Sequence, residues 1–488
     1  MITFGVSVVL LILGYLLYGK VVERVFGIDK NRETPATTMA DGVDYIPMKP
    51  WRIFMIQFLN IAGLGPIFGA IMGAKFGSAS FLWIVFGSIF AGGVHDFLAG
   101  MISIRNGGCS LPEIHGKYLG NGVKQFMRGF MVILMVLVGV VFVTGPANLL
   151  ASLTPEYLDA MFWIIVIIVY YIIATLFPID KIIGKIYPIF GACLLFMAFG
   201  IMIAIFVNHP QLPEIWDGLD NKMPNPDVTP IFPMMFVSIA CGAISGFHAT
   251  QSPLMARCMT NEKYGRPIFY GSMIAEGVVA LIWAAAATYF FFDPSNPGRD
   301  VDMSGGAAVV VDFMTRHWLG TVGAVLAILG VVFAPITSGD TAFRSARLII
   351  ADFLHLDQKP ILKRLYVAIP VFLVALAVLI YVLNDPEGFD VIWRYFAWAN
   401  QVLAAFTLWA ITIYLATEKK CYWITLIPAM FMTMVCTTFI FIAQKEGFGL
   451  SGVISYSIGA SVTIASCVGF FVWKHLKNKH LNNIKLEK

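Results

Sequence analysis

The sequence predicts an all-α polytopic membrane protein of about thirteen transmembrane helices, with an inverted five-plus-five repeat core and two discontinuous helices. Three observations predict it. The 488-residue chain is 58% hydrophobic and only 13% charged, where a soluble domain carries about a quarter charged residues. Runs of roughly 20 apolar residues follow one another, each long enough for a hydrocarbon core of ~30 Å. Two of these runs, five crossings apart, hold glycines and polar residues at their centres.

In chain order the spans fall at 3–19, 52–74, 79–103, 125–145, 159–177, 186–207, 230–254, 268–292, 320–343, 365–383, 391–415, 422–442 and 452–473. The first lacks a basic leader and a small-residue cleavage site, so it reads as a retained span. With the N-terminus outside, 27 of the 33 lysines and arginines lie in inward loops and the C-terminus is cytoplasmic, as the positive-inside bias requires. The chain then divides into an extra helix and cytoplasmic loop (1–50), two five-helix repeats (51–207 and 230–415), two peripheral helices (422–473) and a basic tail (474–488). Seven cysteines, mostly inside apolar runs, read as packing residues and not as a disulfide framework.

No loop is long enough for a soluble domain. No G-x-x-x-x-G-K-[ST] holds ATP phosphates, and no H-E-x-x-H or G-x-S-x-G sets up hydrolysis. The eight histidines are scattered. We therefore expect no enzyme, no catalytic residue, no metal centre, no cofactor and no nucleic-acid partner.

The first interrupted run reads "NIAGLGPIFGA" (60–70), the second "CGAISGFHATQSP" (241–253). Both place isoleucine, a small residue, glycine, an apolar residue and a special residue in mid-span, in helices that run in opposite directions. Unwound backbone survives at that depth only where protein or a polar cavity covers it. Paired breaks of this kind frame a midplane site in carriers, with half-helix N-termini facing anions and freed carbonyls facing cations. The alternative for each break alone is a glycine-packed crossing with a proline kink. On the site reading Gln57, Asn60, Gly63 and Gly65 come from the first break. Ser245, Gly246, His248 and Gln251 come from the second, and Asn400 from span eleven. "ANQVLAAF" (399–406) is equally a place for amides that bridge helices.

Ionisable groups inside spans are costly and mark functional candidates. Glu276, in "MIAEGVVAL", must pair, protonate or meet water, and is a candidate proton carrier alongside His248. Asp96, beside His95, is either a third member or an interfacial charge paired with Arg105. "APITSGDTAFRSAR" (334–347) gathers Thr337, Ser338, Asp340 and Thr341 ahead of Arg344 and Arg347. It reads as a sodium site, as a gate of Asp340–arginine pairs, or as a polar helix end.

Several segments together resemble the carbon starvation protein A (CstA) family: "TPATTMADGVDYIPMKPW", "IAGLGPIFGA", "GGVHDFLAGMISIRNGGCSL", "CGAISGFHA", "MIAEGVVA", "TSGDTAFRSAR" and "ANQVLAA". The resemblance implies secondary active uptake of short peptides or a small carboxylate such as pyruvate, in the bacterial inner membrane, in response to carbon starvation. It also implies a scaffold similar to the amino acid–polyamine–organocation transporters. The expected partners are the small-molecule substrate, a proton or sodium ion, and membrane lipid. Two departures stand out. Ile56-Gln57 replaces a His-His pair common in the family, and "TQSPLMAR" replaces an "SSGTTPK"-like run. The expected mechanism is alternating access with proton symport. The rivals are a sodium-coupled carrier of another amino-acid-like solute and an ion channel.

Overall fold

The structure is a computed structural model that describes residues 1–41, 45–176, 179–298, 306–356, 360–385 and 388–486. The last residue of the predicted span 159–177, parts of the loops after 292 and 343, and the final two residues of the tail lie outside these. No strand occurs among the described residues.

Helix α1 (Ile2–Phe26) ends where Gly27 takes the left-handed conformation, φ 69°, that closes helices at low steric cost. Helices α2 (Pro50–Ile61) and α3 (Leu64–Ala74) follow one another across a short break and are bent by 45°. Helix α4 (Ala79–Arg105) leads to the short α5 (Leu111–Leu119), then α6 (Asn121–Leu153), α7 (Ala160–Leu176) and α8 (Ile179–Asn208). Gly120, at φ 98°, makes the corner between α5 and α6.

The chain re-enters through two short helical turns, Ile231–Met235 and Phe236–Ser238. It is then non-helical until α9 (Gly246–Ala256). Helix α10 (Glu262–Phe292) follows, then α11 (Ala307–Ala327), broken at Gly320, and α12 (Phe333–Phe353). Helices α13 (Ile361–Asn384), α14 (Gly388–Thr417), α15 (Trp423–Ile442) and α16 (Gly452–Leu486) complete the fold.

By length and composition ten of these helices can cross a membrane, or eleven if α2–α3 is one span. The other two predicted spans do not pass that test. Ala160–Ala174 is apolar but shorter, and the run at 230–254 is interrupted between Ser238 and Gly246.

Burial separates core from periphery. The apolar windows of α4 and α10 are each 83% buried, against 33% in α1 and α13 and 22% in α16. Helix α13 exposes Leu362, Tyr366, Ile369, Leu373, Leu376 and Ile380, a stripe at three- and four-residue spacing. An outward stripe of this composition suits lipid and would be a liability in water. Between the outer helices, α9 packs against α2, α4 and α14, while α3 packs against α10.

Candidate functional site

The two breaks press on each other. A methyl group on Gly65 would overlap the Cβ and Sγ of Cys241, and one on Gly69 would sit 2.9 Å from the Ser238 carbonyl oxygen. Gly246 lies so close to α14 that a methyl there would meet the Asn400 carbonyl oxygen at 2.5 Å and the Ala404 nitrogen at 2.6 Å. Gly63 differs, since its nearest neighbour would be Ser338 Oγ at an ordinary 3.5 Å. Gly69 and Gly246 therefore clear room for neighbouring backbone and Gly65 for the Cys241 side chain, while Gly63 alone of these stands in looser surroundings.

Unwinding frees backbone groups that must be satisfied within the protein. Helix α14 supplies much of this. The Phe247 N–H, in the first turn of α9, donates to Asn400 Oδ1 at 2.6 Å, and Asn400 Nδ2 donates to Cys241 Sγ at 3.3 Å. Gln401 Nε2 donates to the carbonyls of Ile244 (3.3 Å) and Phe236 (3.4 Å). Ser245, the N-cap residue of α9, makes no side-chain cap bond; its hydroxyl lies 3.7 Å from Cys241 Sγ. Asn400 thus caps the half-helix from another element.

Helix α9 then carries His248 between two carboxylates. His248 Nδ1 lies 2.9 Å from Asp96 Oδ2 on α4, and Nε2 lies 3.3 Å from Glu276 Oε2 on α10. The other Asp96 oxygen is 2.8 Å from His95 Nδ1. All four side chains are fully buried. They run in a line, His95–Asp96–His248–Glu276, and among the described residues no group of three or more such side chains could hold a metal ion.

Arg105 is not the partner of Asp96. It lies nine residues on, about 13 Å along the helix, and binds Glu262 instead through Nε and Nη2, each at 3.0 Å. That pair fixes the adjacent ends of α4 and α10 at one level, with Asp96 about 13 Å and Glu276 about 21 Å further in.

Several buried polar atoms around the breaks have no hydrogen-bond partner: both amide atoms of Gln57, Asn60 Oδ1, Gln251 Oε1, His95 Nε2, His248 Nε2 and both Glu276 oxygens, so the 3.3 Å approach of His248 to Glu276 is a charge contact and not a hydrogen bond. Buried polar atoms are normally paired, so each such orphan calls for an explanation such as a ligand or ion. Gln57 is buried on α2, in the half-helix that precedes the first break. Gln251 Nε2 is engaged, with Thr250 Oγ1 at 3.0 Å.

Beneath the first break, Ser338 Oγ donates to the Ala334 carbonyl at 3.1 Å and lies 3.5 and 3.4 Å from the Leu59 and Asn60 carbonyls. Thr337 and Thr341 bond back to their own helix. Asp340 turns to Arg344 one helical turn on, Oδ2 to Nη2 at 3.4 Å, and Arg344 reaches the Ala174 carbonyl on α7 at 3.1 Å. Arg347 is buried on the same helix.

Sequence reasoning missed His115. It projects from α5, fully buried, with Nε2 3.4 Å from Thr407 Oγ1 and Nδ1 without a partner. Burial, with the charge of nearby His95 adding to it, pushes this imidazole down to about 3, so it is neutral. The signal was present: Leu111, Ile114 and His115 share the spacing of one helix face.

The sequence profile of the carbon starvation protein CstA family matches residues 1–157, 155–294 and 295–439. Among relatives, an uncharacterized membrane protein of Haemophilus influenzae is 43% identical, covering 60% of this chain and 92% of its own. The peptide transporter CstA of Campylobacter jejuni is 27% identical over 99% of this chain and 85% of its own. The pyruvate/proton symporter BtsT of Escherichia coli is 24% identical over 87% and 78%. Among solved structures, the Eremococcus coleocola manganese transporter superposes with a TM-score of 0.56 at 12% identity, covering 91% of this chain and 99% of that one. At that identity the likeness is one of fold alone.

Proposed function

Because the chain belongs to the CstA family, a family of multi-pass membrane transporters, we propose that it is a secondary carrier importing a small carboxylate such as pyruvate, or a short peptide, by proton symport. The observation that carries this reading is the buried line Glu276–His248–Asp96–His95, set beside the unpartnered amides of Gln57, Asn60 and Gln251.

Both ring nitrogens of His248 face carboxylate oxygens. With Asp96 and Glu276 both ionised, an imidazolium between them, its Nδ1–H donating to Asp96 and its Nε2–H facing Glu276, offsets the two charges best. With Glu276 protonated, its hydroxyl donates to Nε2 and the ring is neutral. Either arrangement leaves the trio one negative charge in excess. One further proton cancels it, and a neutral cluster is far less costly to keep from water than a charged one. Proton uptake thereby favours the occluded, cargo-loaded state. The orphaned Nε2 of His95 and Nδ1 of His115 extend the same line toward α5 and the end of the bundle that holds the Arg105–Glu262 pair.

Cargo sits between the breaks. The first turn of α3 offers unwound N–H groups and a positive dipole end to a carboxylate, and Gln57, Asn60 and Gln251 offer amides. Gly63 and Gly65 shape the first break, and Ser245 and Gly246 the second. Asn400 is a positioning residue that holds α9 in place.

The same proposal extends to the wider architecture. Residues 51–207 and 230–415 are two inverted five-helix halves, so the spans number thirteen. The helix in 1–50 and the pair in 422–473 flank them, and the basic tail 474–488 is cytoplasmic. The N-terminus is outside, in a bacterial inner membrane. The carrier moves its cargo without chemistry on it.

A sodium-coupled reading draws on one observation, the Leu59 and Asn60 carbonyls grouped within 3.5 Å of Ser338 Oγ, hard oxygen donors of the kind that hold such an ion. Thr337, Thr341, Asp340 and Arg347 would then serve that site or its gate. Uptake into proteoliposomes separates the readings. Labelled pyruvate or a di- or tripeptide accumulates under an inward proton gradient and not under a sodium gradient alone. Accumulation driven only by sodium would overturn proton coupling.

A further inference from the structure

Away from the breaks, a cavity of about 810 Å³ opens between α5, α14, α15 and α16. It exists because α16 leans on α15 while α15 leans on α14, which leaves a cleft between the outer helices and the core. Its walls are largely apolar and include Trp398, Phe406 and Trp409 of α14 with Phe470 and Trp473 of α16. Two of the indoles are anchored by their N–H groups. Trp398 Nε1 donates to the Cys436 carbonyl at 3.0 Å, and Trp409 Nε1 to Thr433 Oγ1 at 2.9 Å. The lining of α14 from Trp398 to Ile413 covers about 22 Å of helix rise, a large part of the ~30 Å core. The volume lies in the range of roughly 300–1,000 Å³ of sites that enclose small ligands.

One end of the cleft is basic. Lys117 is part of its wall and donates to Asn106 Oδ1 at 2.5 Å. Lys474 Nζ donates to the Tyr422 hydroxyl at 2.8 Å. Lys477 Nζ donates to Thr417 Oγ1 at 2.8 Å and lies 5.0 Å from the ring centre of Trp473. All three acceptors are neutral. Glu418, whose charge reaches Tyr118 in the wall, is a carboxylate near this rim. The more distant Glu113 is already bound by Lys124 and Arg128.

We propose that this cleft is a binding site for an anionic glycerophospholipid, one acyl chain lying along the tryptophans of α14 and the phosphate among Lys117, Lys474 and Lys477. Acyl chains gain little by leaving one apolar surroundings for another, so selectivity rests on the headgroup. A lysine near an anionic membrane surface is worth about five-fold in binding. The positive-inside bias puts this rim on the cytoplasmic face. The site also bears on transport, because α14 carries Asn400 on the face opposite the cleft and Gln401 on its flank, and both hold the second break. A filled cleft braces that helix. This inference is independent of substrate and of proton coupling.

Tryptophan quenching in nanodiscs tests it. Phosphatidylcholine discs receive a few mole per cent of phosphatidylglycerol or phosphatidylcholine, each brominated on its acyl chains. Brominated phosphatidylglycerol is expected to quench several-fold more than the brominated zwitterion, and Trp398→Phe with Trp409→Phe removes most of the difference. Lys117→Gln/Lys474→Gln/Lys477→Gln brings the two lipids close to equal quenching, and inorganic phosphate at millimolar concentration does not compete. Equal quenching by the two lipids overturns the proposal. So does loss of the signal on formation of a dimer, since a second copy would then fill the cleft. Should the triple variant fold poorly, the tryptophan variants in wild-type charge background still decide the matter.

Discussion

Replacing Asn400 by alanine removes the acceptor that holds the first turn of α9. The Phe247 N–H now donates to Asn400 Oδ1 at 2.6 Å in a site closed to solvent. Loss of a cap costs about 0.5–2 kcal/mol, and leaving a buried donor unpaired costs about 1–3 kcal/mol. These describe the same lost bond, so the expected effect is about 2 kcal/mol and not their sum. That is a factor of about 30 in the local equilibrium. The turn at risk includes His248, whose contacts to Asp96 and Glu276 are 2.9 and 3.3 Å. Asn400→Ala should therefore lower the unfolding midpoint of the purified protein by a few degrees. It should also reduce maximal uptake several-fold while the KM for pyruvate shifts less than two-fold. Asn400→Asp keeps the acceptor, places a negative charge at a helix N-terminus that favours one, and should retain most of the stability. Scanning fluorimetry and proteoliposome uptake read both quantities. An alanine variant with wild-type stability and maximal rate but a ten-fold higher KM would refute the capping argument and make Asn400 a cargo ligand.

Glu276→Gln should abolish accumulation driven by a proton gradient while preserving exchange of labelled for unlabelled pyruvate; a variant that still accumulates cargo normally removes Glu276 from the coupling line. Gly65→Ala should cost about 1–3 kcal/mol through overpacking against Cys241, and Cys241→Gly should recover much of it, whereas Gly63→Ala, with its nearest neighbour at 3.5 Å, should be nearly neutral; equal losses at the two glycines would contradict the packing. Gln57→Leu should weaken cargo binding by roughly ten- to hundred-fold, since the lost amide hydrogen bonds to a charged group are worth about 1.5–3 kcal/mol, and unchanged binding by isothermal titration would take Gln57 out of the site. His115 is held at about 3 in the folded protein, below its ordinary 6.5, so the unfolded chain binds a proton that the folded one does not; stability should fall as pH drops below about 6.5, by up to ~1.4 kcal/mol per pH unit, and His115→Leu should flatten the midpoint-versus-pH curve between pH 6.5 and 4.5.

Much of this protein follows from its residues alone. Long, uniformly apolar runs with few charges dictate helices in lipid, because a helix satisfies every N–H and C=O within its own segment, whereas the closed barrel that is the other solution needs short alternating strands. The glycine-centred interruptions at 60–66 and 245–251 flagged the two broken runs by composition, but the second break lies upstream of that reading: the chain is non-helical between Ser238 and Gly246, and 246–251 is the start of α9. Family kinship was legible for the same reason, in motifs that sit on those breaks. Which groups meet was not. Nothing local says that Asp96 turns to His248 while Arg105 turns to Glu262, because those partners are 152 and 157 residues away in the chain and contact depends on how α4, α9 and α10 settle against one another. The same holds for the glycines. Their spacing announces an interruption, but only packing decides that Gly65 and Gly246 make room for Cys241 and α14 while Gly63 stands clear. Nor does local pattern give Asn400 its cap, since the N–H it binds becomes an orphan only once α9 has begun elsewhere in the fold. Sequence sets what each segment must hide from lipid; the close packing of sixteen helices decides against what it is hidden.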